Sequence, residues 1–213
     1  MASTMAIPES VQEIISDKSF YSGVRYLIKN FSSDSDLTSM EWEDTREYAM
    51  ALSAVAKVRN DVAVFMHDAW DEIWGKALGS KSAEIQMKPH LEFCSPQYIW
   101  DYGEIYRSFE YQSIYVNLFI YFYIHDDGNL EEHPEMDGLC LGVTFTDYSD
   151  RIKGKMTAKF GELENFVECK SEDGNFLRSK NVAKLTKNKI KSVSIYHLQR
   201  AANSIVKAMC SEQ

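Results

Sequence analysis

The chain has no lysine or arginine between Ser108 and Asp150, and no aspartate or glutamate between Gly174 and Cys210. Both gaps belong to a larger imbalance. Residues 1–150 carry 26 acidic and 10 basic side chains, a balance of −16. Residues 151–213 carry 6 and 13, a balance of +7, and the two together make the net charge of −9. Segments of opposite sign predict either an internal electrostatic clasp or a molecule that meets two different partners.

Other shortages exclude other classes. Four prolines and ten glycines are too few for a linker-rich multidomain chain. Cys94, Cys140, Cys169 and Cys210 form no CxxC pair, and Met1-Ala-Ser-Thr-Met5 lacks the basic and apolar regions of a secretory signal. The expectation is reduced thiols in a cytoplasmic protein. The longest apolar run, 114–124, is interrupted by Asn117 and is far short of the roughly 20 residues of a membrane helix, so no membrane partner is expected. There is no GxSxG, GxxxxGK[ST] or GxGxxG, which leaves a nucleophile elbow or a glycine phosphate cradle without support.

What is present is an aromatic-rich chain, with 12 Tyr and 11 Phe, a composition that argues against disorder. The first eighty residues have helical periodicity. Val11, Ile14 and Ile15, then Val24, Leu27, Ile28 and Phe31, share faces, with a break expected near Gly23 or the Ser-Phe-Tyr-Ser stretch. Residues 31–36 read as a loop and Thr38-Ser-Met-Glu41 as a capping box. Helical patterning follows through Ala77 to Gly79, either restarted at Asn60-Asp61 or as one long helix.

The period then switches to two. Ile85, Met87, Leu91 and Phe93 predict a strand placed at an edge or bulge by Pro89. Tyr98 to Glu110 reads as extended. Residues 113–125 put Ile114, Val116, Leu118, Ile120, Phe122 and Ile124 on one face, and Tyr115, Asn117, Phe119, Tyr121, Tyr123 and His125 on the other. Their expected antiparallel partner is 139–146. A short helix is expected over 156–166, a hairpin turn at Glu172-Asp173-Gly174, and a final helix bearing Ile195, Leu198, Ala201, Ala202, Ile205 and Met209.

Together these patterns predict an α+β fold: N-terminal helices on a central antiparallel sheet of four to six strands, with a C-terminal helix. They are read as a single domain over 1–213, divided into a helical segment 8–79, a sheet region 83–178 and a basic C-terminal segment with its helix, 179–213. The tyrosine stripe is expected to be covered by the N-terminal helices.

Four groups of residues carry candidate chemistry. The stretch 125–137 holds Asp126, Asp127, Glu131, Glu132, Glu135 and Asp137. It could present a negative surface or, with His125, Asp126 and His133, bind a divalent metal, but the spacing is not that of a calcium loop. Glu168-Cys169-Lys170 matches the Glu-x-Lys pattern of metal-dependent nucleases, with Asp147, Asp150 or Asp137 as the further carboxylate and Mg or Mn as the ion. With 18 Glu and 16 Lys in the chain, one such triplet arises by chance. Lys184, Lys187, Lys189 and Lys191, with Arg178, Lys180, Arg200 and Lys207, could neutralise phosphates, though few arginines and aromatics accompany them. Tyr121 and Tyr123 offer apolar area with a polar tip.

No cofactor is expected, and no catalytic signature stands above chance. The leading expectation is therefore a non-enzymatic interaction or regulatory protein of inhibitor, immunity or anti-defence type. It would bind a basic partner protein through its acidic, aromatic-bearing region, anchored by Trp42, Trp70, Trp74 or Trp100 if exposed. The alternative is a Mg- or Mn-dependent nuclease or phosphodiesterase, or a nucleic-acid-binding protein using the basic C-terminal region.

Overall fold

The computed structural model describes residues 3–30, 42–79, 88–111, 114–124, 137–146, 160, 163–171, 174–185 and 191–210. A short strand, β1 (Thr4–Ala6), leads into helices α1 (Glu9–Ser16) and α2 (Lys18–Asn30). The break falls at Asp17 rather than near Gly23, because the Asp17 carboxylate accepts the Ser19 and Phe20 backbone N–H groups at 2.9 and 3.0 Å and caps α2. Val11, Ile14, Ile15 and Val24 are buried as their spacing predicts. The expected loop 31–36 and capping box 38–41 lie outside the described residues.

Helix α3 (Trp42–Trp70) runs on through a five-residue π turn (Asp71–Gly75) into α4 (Lys76–Gly79). Asn60-Asp61 starts no new helix. Asp61 instead accepts from Lys57 at 2.6 Å and from the Ser10 hydroxyl at 2.5 Å, which ties α3 to α1. The extra residue of the π turn rephases the helix, and Trp70, Ile73, Trp74 and Ala77 are all buried. Trp70 and Trp74 are thus core residues and cannot serve as partner anchors; Trp100 is half-buried.

The sheet is antiparallel throughout its described pairings. Its strands are β2 (Lys88–Phe93), β3 (Glu104–Tyr111), β4 (Ile114–Tyr123), β5 (Gly138–Thr146), β6 (Phe166–Ser171), β7 (Gly174–Ser179) and the two-residue β8 (Ala183–Lys184). They lie in the order β2-β3-β4-β5-β7-β6, with β8 also on β5, so the sheet reaches seven strands and extends past residue 178. Pro89 sits on the edge strand at a register shift, as a residue without an N–H should. The β6–β7 hairpin forms with Ser171 opposite Gly174.

One local expectation fails. Tyr98 to Glu110 is not one extended run: Pro96–Tyr102 is a helix, α5, and β3 follows it. Ser95 caps α5 by accepting the Tyr98 N–H at 3.1 Å, Pro96 occupies the first turn, and Gly103, at φ 65°, closes it.

Beyond β8 come β9 (Ser192–Ser194) and helix α6 (Tyr196–Cys210), so the basic C-terminal segment also contains strand. β9 pairs with β1, while Ile195, Leu198, Ala201, Ala202, Ile205 and Met209 are buried. The oppositely charged ends of the chain are therefore joined by backbone pairing and apolar packing. Among the described residues, the ion pairs Lys57–Asp61, Lys76–Glu72, Arg107–Asp71 and Arg107–Glu92 all lie within the acidic region.

The core lies between the helices and one face of the sheet. That inner face carries Ile105, Val116, Leu118, Ile120, Phe122, Leu139, Leu141, Val143, Phe145 and Leu177, all buried. Trp70 and Trp74 donate their indole N–H groups to the backbone carbonyls of Leu118 and Phe119 at 3.0 and 2.9 Å. Phe65 meets Phe122 edge-on at 5.5 Å, and the Tyr111 hydroxyl donates to the Met209 carbonyl of α6 at 2.7 Å. The architecture is α+β. No described helix is long and apolar enough to cross a membrane.

Candidate functional site

Strand alternation puts Tyr115, Asn117, Phe119, Tyr121 and Tyr123 on the opposite, outer face of β4. Among the described residues, the N-terminal helices do not cover this stripe, contrary to expectation. They pack on the aliphatic face, because continuous branched residues bury more completely than tyrosines whose hydroxyls must stay hydrogen-bonded.

On the outer face the rings pack on one another. Tyr106 of β3 lies 4.5 Å from Phe119, Phe119 stacks on Tyr121 at 5.4 Å, and Tyr121 stacks on Tyr123 at 5.9 Å. Tyr98 of α5 meets Tyr106 at 6.1 Å, and Tyr102 lies against Tyr98 at 4.8 Å. Phe176 of β7 approaches Tyr121 at 6.3 Å. The neighbouring strand makes room for this. Gly138, Cys140 and Gly142 are the outer-face residues of β5, opposite Tyr123, Tyr121 and Phe119. A Cβ at Gly142 would collide with the Tyr121 ring, so that glycine is required by close approach.

Glu104 begins β3 directly opposite Tyr121 and is half-buried among these rings. The Tyr98 hydroxyl donates to Glu104 Oε1 at 2.5 Å. Burial raises the Glu104 carboxyl above its ordinary range, and the Tyr98 hydrogen bond only partly opposes that. Burial likewise pushes up the hydroxyls of Tyr98, Tyr121, Tyr106 and Tyr123, with the Glu104 charge adding to each. Arg178 of β7 faces the same side and draws down the Tyr123 hydroxyl and the Cys140 thiol, against the burial that dominates both. Cys140 is held at about 12, a protonated and unreactive thiol.

The sequence-derived candidates distribute unevenly around this face. Tyr121 and Tyr123 belong to it and are half-buried. Tyr123 pairs with Gly138, so the stretch 125–137 leaves the sheet and returns to it at this end of the tyrosine row. His125, Asp126, Asp127, Glu131, Glu132, His133 and Glu135 lie outside the described residues. Asp137 is half-buried, and its carbonyl accepts the Leu185 N–H at 3.1 Å.

Glu168 is exposed on β6, opposite Leu177. Lys170 is described only through its backbone pairing with Asn175, and Asp147 lies outside the described residues. Lys184 and Lys191 are exposed, the former paired with Gly138; Lys187 and Lys189 lie outside. Among the described residues, no group of three His, Cys, Asp or Glu side chains could hold a metal ion.

Sequence reasoning passed over Glu104, Tyr98 and Tyr106. The available signal was the two caps, Ser95-Pro96, which begins α5, and Gly103, which ends it one residue before Glu104; together they set the tyrosines of helix and strand around it. No protein-family model matches the chain, and neither a curated protein nor a solved structure does so.

Proposed function

We propose that this chain is a non-enzymatic interaction protein that binds a basic partner protein through the outer face of its sheet and the acidic stretch beside it. The supporting observation is the Tyr123–Gly138 pairing. It roots a stretch with six carboxylates and no lysine or arginine, residues 126–137, at the end of a row of tyrosines. Aromatic rings with polar tips supply contact area, and one-signed charge steers the partner and sets specificity.

The test compares wild-type protein with a variant carrying Asn or Gln at Asp126, Asp127, Glu131, Glu132 and Glu135, both immobilised and exposed to lysate of the source cell. Support is a protein of basic isoelectric point, held by wild type, released by rising salt and held far less by the variant. Retention that is equal on both proteins overturns the proposal. So does bound material that nuclease removes, which would favour the nucleic-acid reading.

A further inference from the structure

We propose that Glu104 and the tyrosines around it form a binding site for an alkylammonium group, the lysine side chain of the partner. The inference deepens the partner-binding reading and rests on it for the source of the lysine.

The first argument is an unbalanced charge. The one hydrogen bond described for Glu104 is the one it accepts from Tyr98, and among the described residues no cation is found acting on it. A half-buried carboxylate held that way is poorly compensated, since a tyrosine hydroxyl offers a dipole and not a counter-charge. Neither arginine of the sheet is described in contact with Glu104. Arg107, on the inner face, lies 4.1 Å over the Trp70 ring and pairs with Asp71 and Glu92. Arg178 acts on Tyr123 and Cys140.

The second argument is the lining. Tyr98, Tyr106 and Tyr121 are half-buried, and Tyr102, 68 % exposed, extends the rim beside Tyr98. The negative faces of aromatic rings attract ammonium groups, and partial desolvation strengthens that attraction.

The third argument selects lysine over arginine. A guanidinium fork binds best when both carboxylate oxygens accept side by side. Here Oε1 already accepts from the Tyr98 hydroxyl, which competes with a side-by-side fork, so a single ammonium point charge centred on the other oxygen is the better match.

The experiment titrates the full chain, ¹³C-labelled in its tyrosine rings, with n-butylammonium chloride, using sodium chloride as the ionic-strength control and n-butylguanidinium chloride as the competing cation. Expected are saturable shifts of the Tyr98, Tyr106 and Tyr121 ring signals with butylammonium, tighter than with butylguanidinium, and at least tenfold weaker binding in Glu104→Gln. A thermal melt of the variant confirms that it is folded. Shifts no larger than the sodium control, or equal affinity in Glu104→Gln, overturn the site.

The two readings fail separately. If a basic partner is lost on neutralising 126–135 but binds Glu104→Gln as tightly as wild type, the lysine site is wrong and the partner-binding reading stands. If butylammonium binds as expected and no basic partner is retained, the partner-binding reading is wrong and the cation site stands.

Discussion

The Trp74 indole donates to the carbonyl of Phe119 at 2.9 Å, and the ring of that same Phe119 lies on the opposite side of the sheet, stacked on Tyr121. One residue thus joins the packed inner layer to the aromatic outer face. The π turn makes the link possible, since it carries Trp74 and directs it to the sheet. The outer face is therefore held in shape by contacts on the other side of β4.

Replacing Trp74 with phenylalanine removes the donor and leaves a void where the indole was fully buried. Lost packing and a lost buried hydrogen bond together predict a destabilisation of about 2–4 kcal/mol. Urea denaturation monitored by circular dichroism measures it. A change under 0.5 kcal/mol would show that the contact carries little.

The fit of Tyr121 over Gly142 makes a second prediction. Gly142→Ala puts a methyl group into the ring and should cost about 1–3 kcal/mol, as overpacking does. Tyr121→Leu on its own leaves space above β5. In the double variant the two effects should not add, because the smaller side chain vacates the volume the methyl needs. Equal penalties for Gly142→Ala in both backgrounds would mean that the strain lies elsewhere.

How far the sequence disclosed this arrangement depended on the range of the interactions involved. The alternation of 114–124 gave β4 its two faces, and the matching pattern of 139–146 gave its partner, because the face a residue takes follows from the period alone. Pro89 marked an edge and Ile195 to Met209 a helix for equally local reasons. The tyrosine stripe was assigned to the wrong side because either face of β4 could have met a helix. That choice is made by residues far apart, such as Trp70 with Leu118 and Tyr111 with Met209. Helix α5 was missed since seven residues dense in tyrosine also suit a strand. Glu104 escaped notice because a lone carboxylate acquires meaning only when folding brings Tyr98, Tyr106 and Tyr121 around it.

Asp61 predicts sensitivity to acid. Its hydrogen bonds to Lys57 and Ser10 hold its carboxyl below the ordinary value, so it contributes stability above the unfolded-state value, and that contribution is lost as pH falls through the folded-state one. Asp61→Asn should remove this part of the acid dependence and loosen α1 from α3, costing on the order of 1 kcal/mol near neutrality. The gap in melting temperature between the two proteins should hold from pH 7 down to the ordinary carboxylate range and narrow as pH is lowered below it. A constant gap across the range would contradict the assignment.

Glu104 predicts the opposite slope, which separates it from Asp61 in the same titration. Its carboxyl is raised, chiefly by burial, so the folded state favours the protonated form. The stabilisation from proton binding is fully present below the unfolded-state value and is lost as pH rises through the higher folded-state value. Glu104→Gln keeps an oxygen to accept the Tyr98 hydroxyl but removes the charge. The variant should therefore melt higher than wild type at pH 7, with the difference shrinking toward pH 4 as wild type takes up its proton. Adding butylammonium at pH 7 should close the gap from the other side, since a bound cation stabilises the ionised wild type and has nothing to neutralise in the variant. A wild type that melts above Glu104→Gln at neutral pH without any cation would mean that the carboxylate is already compensated within the fold, and a residue so satisfied has no need of a partner's lysine.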